Sequence, residues 1–287
     1  MRRHRAARLR PPRTIRIVET HRTYGSAPYT VAVVHGGPGA AGEMAPVARE
    51  LARDLGILEP LQTAASLEDQ VDELRVTLES YAAPPVVLIG FSWGAWLSYI
   101  AAARHPALVR KLLLVASGPF DERYAAQIDA TRLKRLNAKE QEEWQAINQA
   151  LRDPAAQDKD ALLARLGALA SITDTYDPLA TGFEASDAIN TRGDVFQSVW
   201  TTAAEWRRNG TLMELGRRIQ CSVVALHGDY DPHPAEGVRK PLSALLKDFH
   251  FVLLKNCGHT PWIERQARGS FYRAIRRELA SASVPTP

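Results

Sequence analysis

The 287-residue sequence predicts an α/β fold: a mostly parallel sheet covered by helices, with a helical segment inserted into it. Three observations predict this. Short apolar runs without polar alternation, such as Val86-Val87-Leu88-Ile89, have the composition of strands buried on both faces. These runs alternate with helical patterns, the rhythm of a parallel sheet with crossover helices. Between about 120 and 215 the strand runs stop and charged helical patterns take over, before the strand–helix rhythm resumes.

In chain order, residues 1–13 carry six Arg and no acid and are expected to form a basic, disordered leader. Ile15–Val18 and Tyr29–Val34 read as strands separated by Gly25, Ser26 and Pro28. A helix is predicted over 43–55 and another over 67–81, where Ser66 is the N-cap candidate and Asp69 follows three residues on. Pro84 and Pro85 introduce the Val86–Ile89 strand, and a helix runs from Ser92 to about His105, ended by Pro106. Lys111–Ala116 is the next buried strand. Helical patterns then cover 122–136, 138–151, 158–170 and 194–208. Strand Ser222–His227, a helix near 235–247, strand Phe249–Leu254 and a last helix near 263–280 complete the chain. The expected organisation is a core from 14–119 and 216–287, with 120–215 as a helical insertion.

Composition excludes several function classes. Two cysteines, Cys221 and Cys257, rule out a disulfide scaffold or a Cys-built zinc site. No His/Asp/Glu spacing suggests a metal site, and no cofactor loop is present, since Gly-x-Gly-x-x-Gly and Gly-Lys-Ser/Thr are both missing. No apolar run approaches the ~18 residues of a membrane span. The net charge of +4 belongs to the leader, because outside it 30 Lys and Arg face 32 Asp and Glu. The body therefore offers no general attraction for nucleic acid. With no apolar stretch after the arginines to make a secretory signal, a cytoplasmic location is expected.

The residues that carry chemistry all fall just after predicted strands, where open α/β sheets place their sites. Gly90-Phe91-Ser92-Trp93-Gly94 sits between a buried strand and a helix. A sharp turn there would expose the Ser92 hydroxyl, with glycines on either side so that strand and helix can pack closely. A nucleophilic serine needs a base and an orienting acid. His259 follows the Phe249–Leu254 strand, and His227-Gly228-Asp229-Tyr230-Asp231-Pro232 closes the preceding one. Asp231 is favoured as the acid because the loop then has room to reach back. Asp229 is expected to brace the turn, and Asp121 is a more distant alternative. His35-Gly36-Gly37-Pro38-Gly39 lets backbone N–H groups face a ligand, and Gly37 and Trp93 are the expected oxyanion donors. The remaining histidines read as structural, with His233 a loop residue near the acid.

Together these loops resemble the α/β-hydrolase superfamily from about residue 14 to 280. His35-Gly36-Gly37-Pro38-Gly39 with Gly90-Phe91-Ser92-Trp93-Gly94 resembles the prolyl aminopeptidase branch in particular. The resemblance implies an eight-stranded, mostly parallel sheet with a helical cap inserted after the sixth strand. It also implies Ser92 as nucleophile, Asp231 as acid, His259 as base, and Gly37 and Trp93 in the oxyanion hole. There are departures: the Asp-x-Arg-Gly-x-Gly-like loop common after the fourth strand is replaced by Gly56–Thr63, and Phe91 stands where those peptidases often have glycine. Gly36 and Phe91 border the expected pocket. Those peptidases hold a free amino terminus with acidic cap residues, for which Glu184, Asp187, Asp194 and Glu205 are the candidates. Trp200, with Trp206 and Tyr176, is a candidate lining for an apolar acyl pocket, although aromatics at helical spacing also read as core.

The expected function is a metal-free, cofactor-free serine hydrolase acting on a small molecule or short peptide through an acyl-enzyme on Ser92. Aminopeptidase or amidase action ranks first, and carboxylester or C–C bond hydrolysis second. A non-catalytic ligand-binding protein on the same fold is the alternative from another class.

Overall fold

The computed structural model describes residues 19–153, 156–180 and 193–282. The expected leader and the Ile15–Val18 strand lie outside the described residues. Seven strands form one sheet: β1 (His21–Tyr24), β2 (Tyr29–Val34), β3 (Gly56–Pro60), β4 (Val86–Phe91), β5 (Val109–Val115), β6 (Ser222–Gly228) and β7 (Phe249–Leu254). Their order is β1-β3-β2-β4-β5-β6-β7, parallel throughout except for β1, which pairs antiparallel with β3. The eight strands implied by resemblance are thus seven among the described residues. β1 is a strand that the sequence pattern did not reveal, because four residues at a sheet edge carry too little alternation to read.

The helices are α1 (Ala45–Leu51), α2 (Leu67–Tyr81), α3 (Trp93–Arg104), α4 (Ala126–Arg135), α5 (Ala138–Arg152), α6 (Lys159–Asp174), α7 (Gly193–Arg208), α8 (Thr211–Glu214), α9 (Glu236–Leu245) and α10 (Arg268–Ala282). Ser66 does cap α2, its hydroxyl accepting from the Asp69 N–H at 3.1 Å. Asn137 and Glu140 form a reciprocal capping box that starts α5. The last helix begins later than the pattern predicts, at Arg268, because Pro261–Ala267 is a turn that serves the site below.

The unalternating strands are explained by two cores. Ala32, Val34, Leu88, Leu112, Leu114, Val223 and Ala225 point to one face, against α2, α3, α7 and α9. Their neighbours Val31, Val33, Val87, Ile89, Leu113, Val115, Val224 and Leu226 point to the other, against α1 and α10. Alternate residues therefore bury on opposite faces, and neither set is free to be polar. Between β5 and β6 the chain forms α4 to α8, with a small core of their own around Leu136, Trp144, Ile147 and Leu169.

Candidate active site

A parallel sheet brings the C-terminal ends of its strands to one edge, and three of the loops there converge. Ser92 follows β4, the middle strand, and precedes α3. Its backbone is at φ 51°, ψ −115°, which is strained for a residue with a side chain and is the price of a sharp strand-to-helix turn. The turn is possible only because Gly90 and Gly94 lack a Cβ. One at Gly94 would fall on the carbonyls of Val34 and His35, and one at Gly90 on the carbonyl of Gly94. Trp93 is the first residue of α3, so its N–H is one of the groups a helix leaves without an internal acceptor.

His259 lies after β7 and Asp231 after β6. His259 Nε2 is 3.1 Å from Ser92 Oγ, and His259 Nδ1 is 2.8 Å from Asp231 Oδ2. An ionised carboxylate only accepts, so the Nδ1 carries the proton and the Nε2 lone pair faces the serine. Burial works against the His259 imidazolium, but the charge and hydrogen bond of Asp231, and then Asp174, outweigh it and raise the pKa, with Arg132 opposing. Burial would likewise raise Asp231; His259 first, then His233 and His227, hold it well below the usual carboxylate range. His233 contributes its backbone N–H at 2.9 Å and its Nδ1–H at 2.8 Å, both to Oδ1.

The competing acids lie elsewhere. Asp229 is exposed and its Oδ1 accepts from the Cys257 N–H at 3.3 Å, bracing the turn. Asp121 caps the short turn at Glu122–Tyr124 through the Arg123 N–H at 3.0 Å. Phe91 packs on the His259 ring, with centroids 5.0 Å apart. Gly36 sits against Phe91 and Glu43: a Cβ there would be 2.8 Å from Phe91 Cδ1 and 2.6 Å from Glu43 Oε2. Gly37 takes φ +26° and its carbonyl accepts from Ala40, leaving its loop tightly turned. Trp200 stacks on the buried Trp96, with centroids 5.6 Å apart and rings 4° from parallel, so its contact is with the core. Glu205 is exposed on α7 and makes none of the bonds that join the site. Glu184, Asp187 and the Asp194 side chain lie outside the described residues.

Asp231, His233 and His259 also bring three possible metal-ligand atoms within 4.8 Å of one another. Those atoms are already joined by N–H···O bonds of 2.8 Å, so a cation would have to displace both protons.

Sequence reasoning missed the residues that hold His259 in place. Glu264 is fully buried, and its carboxylate accepts three backbone N–H groups: Gly258 at 2.9 Å, Tyr176 at 2.8 Å and Asp177 at 2.8 Å. The carbonyl of Asp174 accepts from the His259 N–H at 2.7 Å, and its side chain holds Arg132 at 2.9 and 2.5 Å. The end of α6 is thereby tied to the histidine loop. The one sequence signal was an acid in the otherwise apolar Pro261-Trp262-Ile263-Glu264.

Glu43 was also missed. Its Oε2 is closed off from solvent without a hydrogen-bond partner, and burial pushes the carboxyl up to about 7, with His259 and the Gly36 backbone opposing. The unfolded chain ionises near 4.5 and the folded one near 7, so native stability from this group is present below pH 4.5 and lost as pH rises through 7. Glu43→Gln is therefore expected to gain stability over wild type at pH 8 relative to pH 5, by about 1–2 kcal/mol after discounting for partial exposure. Urea midpoints at the two pH values check this; an equal difference at both would contradict it.

Residues 31–269 match the Alpha/beta hydrolase family. The chain belongs to that family. Among solved structures of this fold, a carboxylesterase from the ammonia-oxidising thaumarchaeon Nitrososphaera gargenis is 17% identical, with a TM-score of 0.63, covering 92% of this chain and 94% of that one. A thermophilic esterase from Thermogutta terrifontis is 15% identical, with a TM-score of 0.62, covering 92% and 93%. A proline iminopeptidase from Mycobacterium smegmatis is 17% identical, with a TM-score of 0.60, covering 91% and 94%. No curated protein sequence matches this chain. Among the described residues, no helix of this alpha/beta hydrolase is long and apolar enough to cross a membrane. Family membership supports hydrolysis as the general activity. The hydrogen-bonded series at the sheet edge is chemically suited to that activity: a hydroxyl facing an imidazole lone pair, backed by a buried carboxylate.

Proposed function

We propose that this alpha/beta hydrolase cleaves a small amide, peptide or ester bond through an acyl-enzyme on Ser92. The observation that carries the reading is the unbroken Ser92–His259–Asp231 series, at 3.1 and 2.8 Å. Ser92 Oγ attacks the substrate carbonyl while His259 Nε2 takes its proton, and Asp231 holds the tautomer and stabilises the imidazolium. The tetrahedral oxyanion is received by the backbone N–H groups of Gly37 and Trp93, the latter at the positive end of α3. His259 returns the proton to the leaving group. It then serves again as base for the water that releases the acyl group. Gly36 and Phe91 border the acyl site, and the helices from 120–215 act as its cap. Trp200 serves this cap by docking α7 on the core.

The HGGPG and GFSWG loops favour an aminopeptidase-like substrate, and Glu205, exposed on α7, is the described cap acid available to hold an amine. Carboxylester cleavage is the second reading. A non-catalytic binding protein would have no need of the strained Ser92 backbone. The test is labelling with a fluorophosphonate probe: wild type is expected to be labelled and Ser92→Ala not. Equal labelling of both would overturn the proposal. Proline-arylamide and nitrophenyl-ester panels then separate the amide and ester readings.

A further inference from the structure

Asp231 serves two imidazoles. Its Oδ2 accepts from His259 Nδ1, while its Oδ1 accepts from both the backbone N–H and the Nδ1–H of His233. The His233 ring also lies over the His259 ring, with centroids 4.5 Å apart and planes 26° from parallel. His227 completes the surround. Its Nε2 donates to the His233 carbonyl at 2.7 Å and stands 3.5 Å from Asp231 Oδ2. Nothing in the proposed reaction needs a second imidazole on this carboxylate. Asp231 and His233 are both buried, so solvent does not substitute freely for the bonds between them.

We propose that His233 is a positioning residue that occupies Asp231 Oδ1 with two N–H donors, leaving only part of the carboxylate's negative charge to act on His259 and so limiting the basicity of His259. This rests on the proposed roles of Ser92, His259 and Asp231. The physical reason is that a hydrogen-bond donor to a carboxylate lowers its basicity, and a less basic carboxylate stabilises a neighbouring imidazolium less. His233 does this as a neutral ring, because burial holds its own pKa down at about 4 against the pull of Asp231. Its bonds to Oδ1 therefore persist across the range in which His259 titrates. The other groups that face His259 are Asp174 at the end of α6, Arg132 on α4, and Glu43 in the loop after β2. His227 faces it from the end of β6. None of these bonds to Asp231 Oδ1.

Two substitutions separate donor from ring. His233→Phe keeps the stacked ring, the backbone N–H and the exclusion of water but has no ring N–H. His233→Asn places an amide N–H near the Nδ1 position and drops the ring. The His259 titration is read directly by NMR of histidine-labelled full-length protein, without turnover. His233→Phe is expected to raise the His259 midpoint by about half a pH unit or more, and His233→Asn to leave it near the wild-type value. A Phe variant that titrates like wild type, or an equal rise in both variants, would overturn the proposal. Should the Phe variant not fold, ¹⁵N shifts of wild-type His233 provide the check. A neutral Nδ1–H tautomer from pH 5 to 9 supports the inference, and an Nε2–H tautomer or titration of His233 in that range refutes it. Fluorophosphonate labelling of Ser92 reads the underlying functional proposal separately, so either can fail alone.

Discussion

Asp231→Asn is expected to lower turnover by about 10⁴-fold while leaving the fold intact, on whichever ester or arylamide wild type cleaves best. An amide has one accepting and one donating end, and this site leaves no choice of orientation. The backbone N–H of His233 at 2.9 Å can only donate, so the amide oxygen must stay on the His233 side. The amide nitrogen then faces His259 Nδ1 and donates to it. His259 is forced into the tautomer with its proton on Nε2, pointing at Ser92 Oγ, where a lone pair is needed. In a site where the carboxylate met only one histidine, the amide could flip and relieve this. The measurement is kcat for the purified variant alongside a thermal melt. A loss under tenfold with an unchanged melt would mean that Asp231 does not set the tautomer.

The second large effect is on the fold. Gly94→Ala is expected to destabilise the protein by about 3 kcal/mol or more and to remove activity even in the soluble fraction. The added methyl would meet the backbone carbonyls of Val34, the last residue of β2, and of His35 just after it, and backbone cannot yield as a flexible side chain would. α3 must therefore move away from the sheet edge. This separates Ser92 and Trp93 at its start from the His35-Gly36-Gly37 loop, which supplies the other proposed oxyanion donor. For a chain of this size the loss corresponds to a fall in Tm of about 6–12 °C. A variant with wild-type Tm and turnover would show that helix and sheet can separate without consequence.

Much of this architecture was legible in the sequence because it is written locally. The apolar runs at Val86–Ile89 and Lys111–Ala116 have to be doubly buried strands, since every second residue packs into a different core. The glycines around Ser92 were readable because close packing of a strand and helix admits no Cβ there. The order of the loops placed Ser92, Asp231 and His259 at one sheet edge, and the structure brings the three within hydrogen-bonding distance. Loop reach favours Asp231 over Asp229, and in the structure Asp231 lies 2.8 Å from His259 while the exposed Asp229 accepts from the Cys257 N–H. What escaped was of another kind. Glu264 reads as one more charge ahead of a terminal helix, yet it is fully buried. Glu43 likewise reads as a charge at the start of a helix, yet its Oε2 is closed off from solvent beside Gly36.

By itself, then, the sequence determined the alternation of strands and helices, the helical insertion and the three loops, because periodicity and glycine placement act over a few residues. Only the tertiary structure decided how the histidine is held. Glu264 reaches Tyr176 across 88 positions and Asp231 meets His259 across 28. Asp231 is shared between two imidazoles because β6 and β7 end side by side. A buried polar atom takes whatever partner the packed chain puts beside it, and no local pattern records which partner that will be.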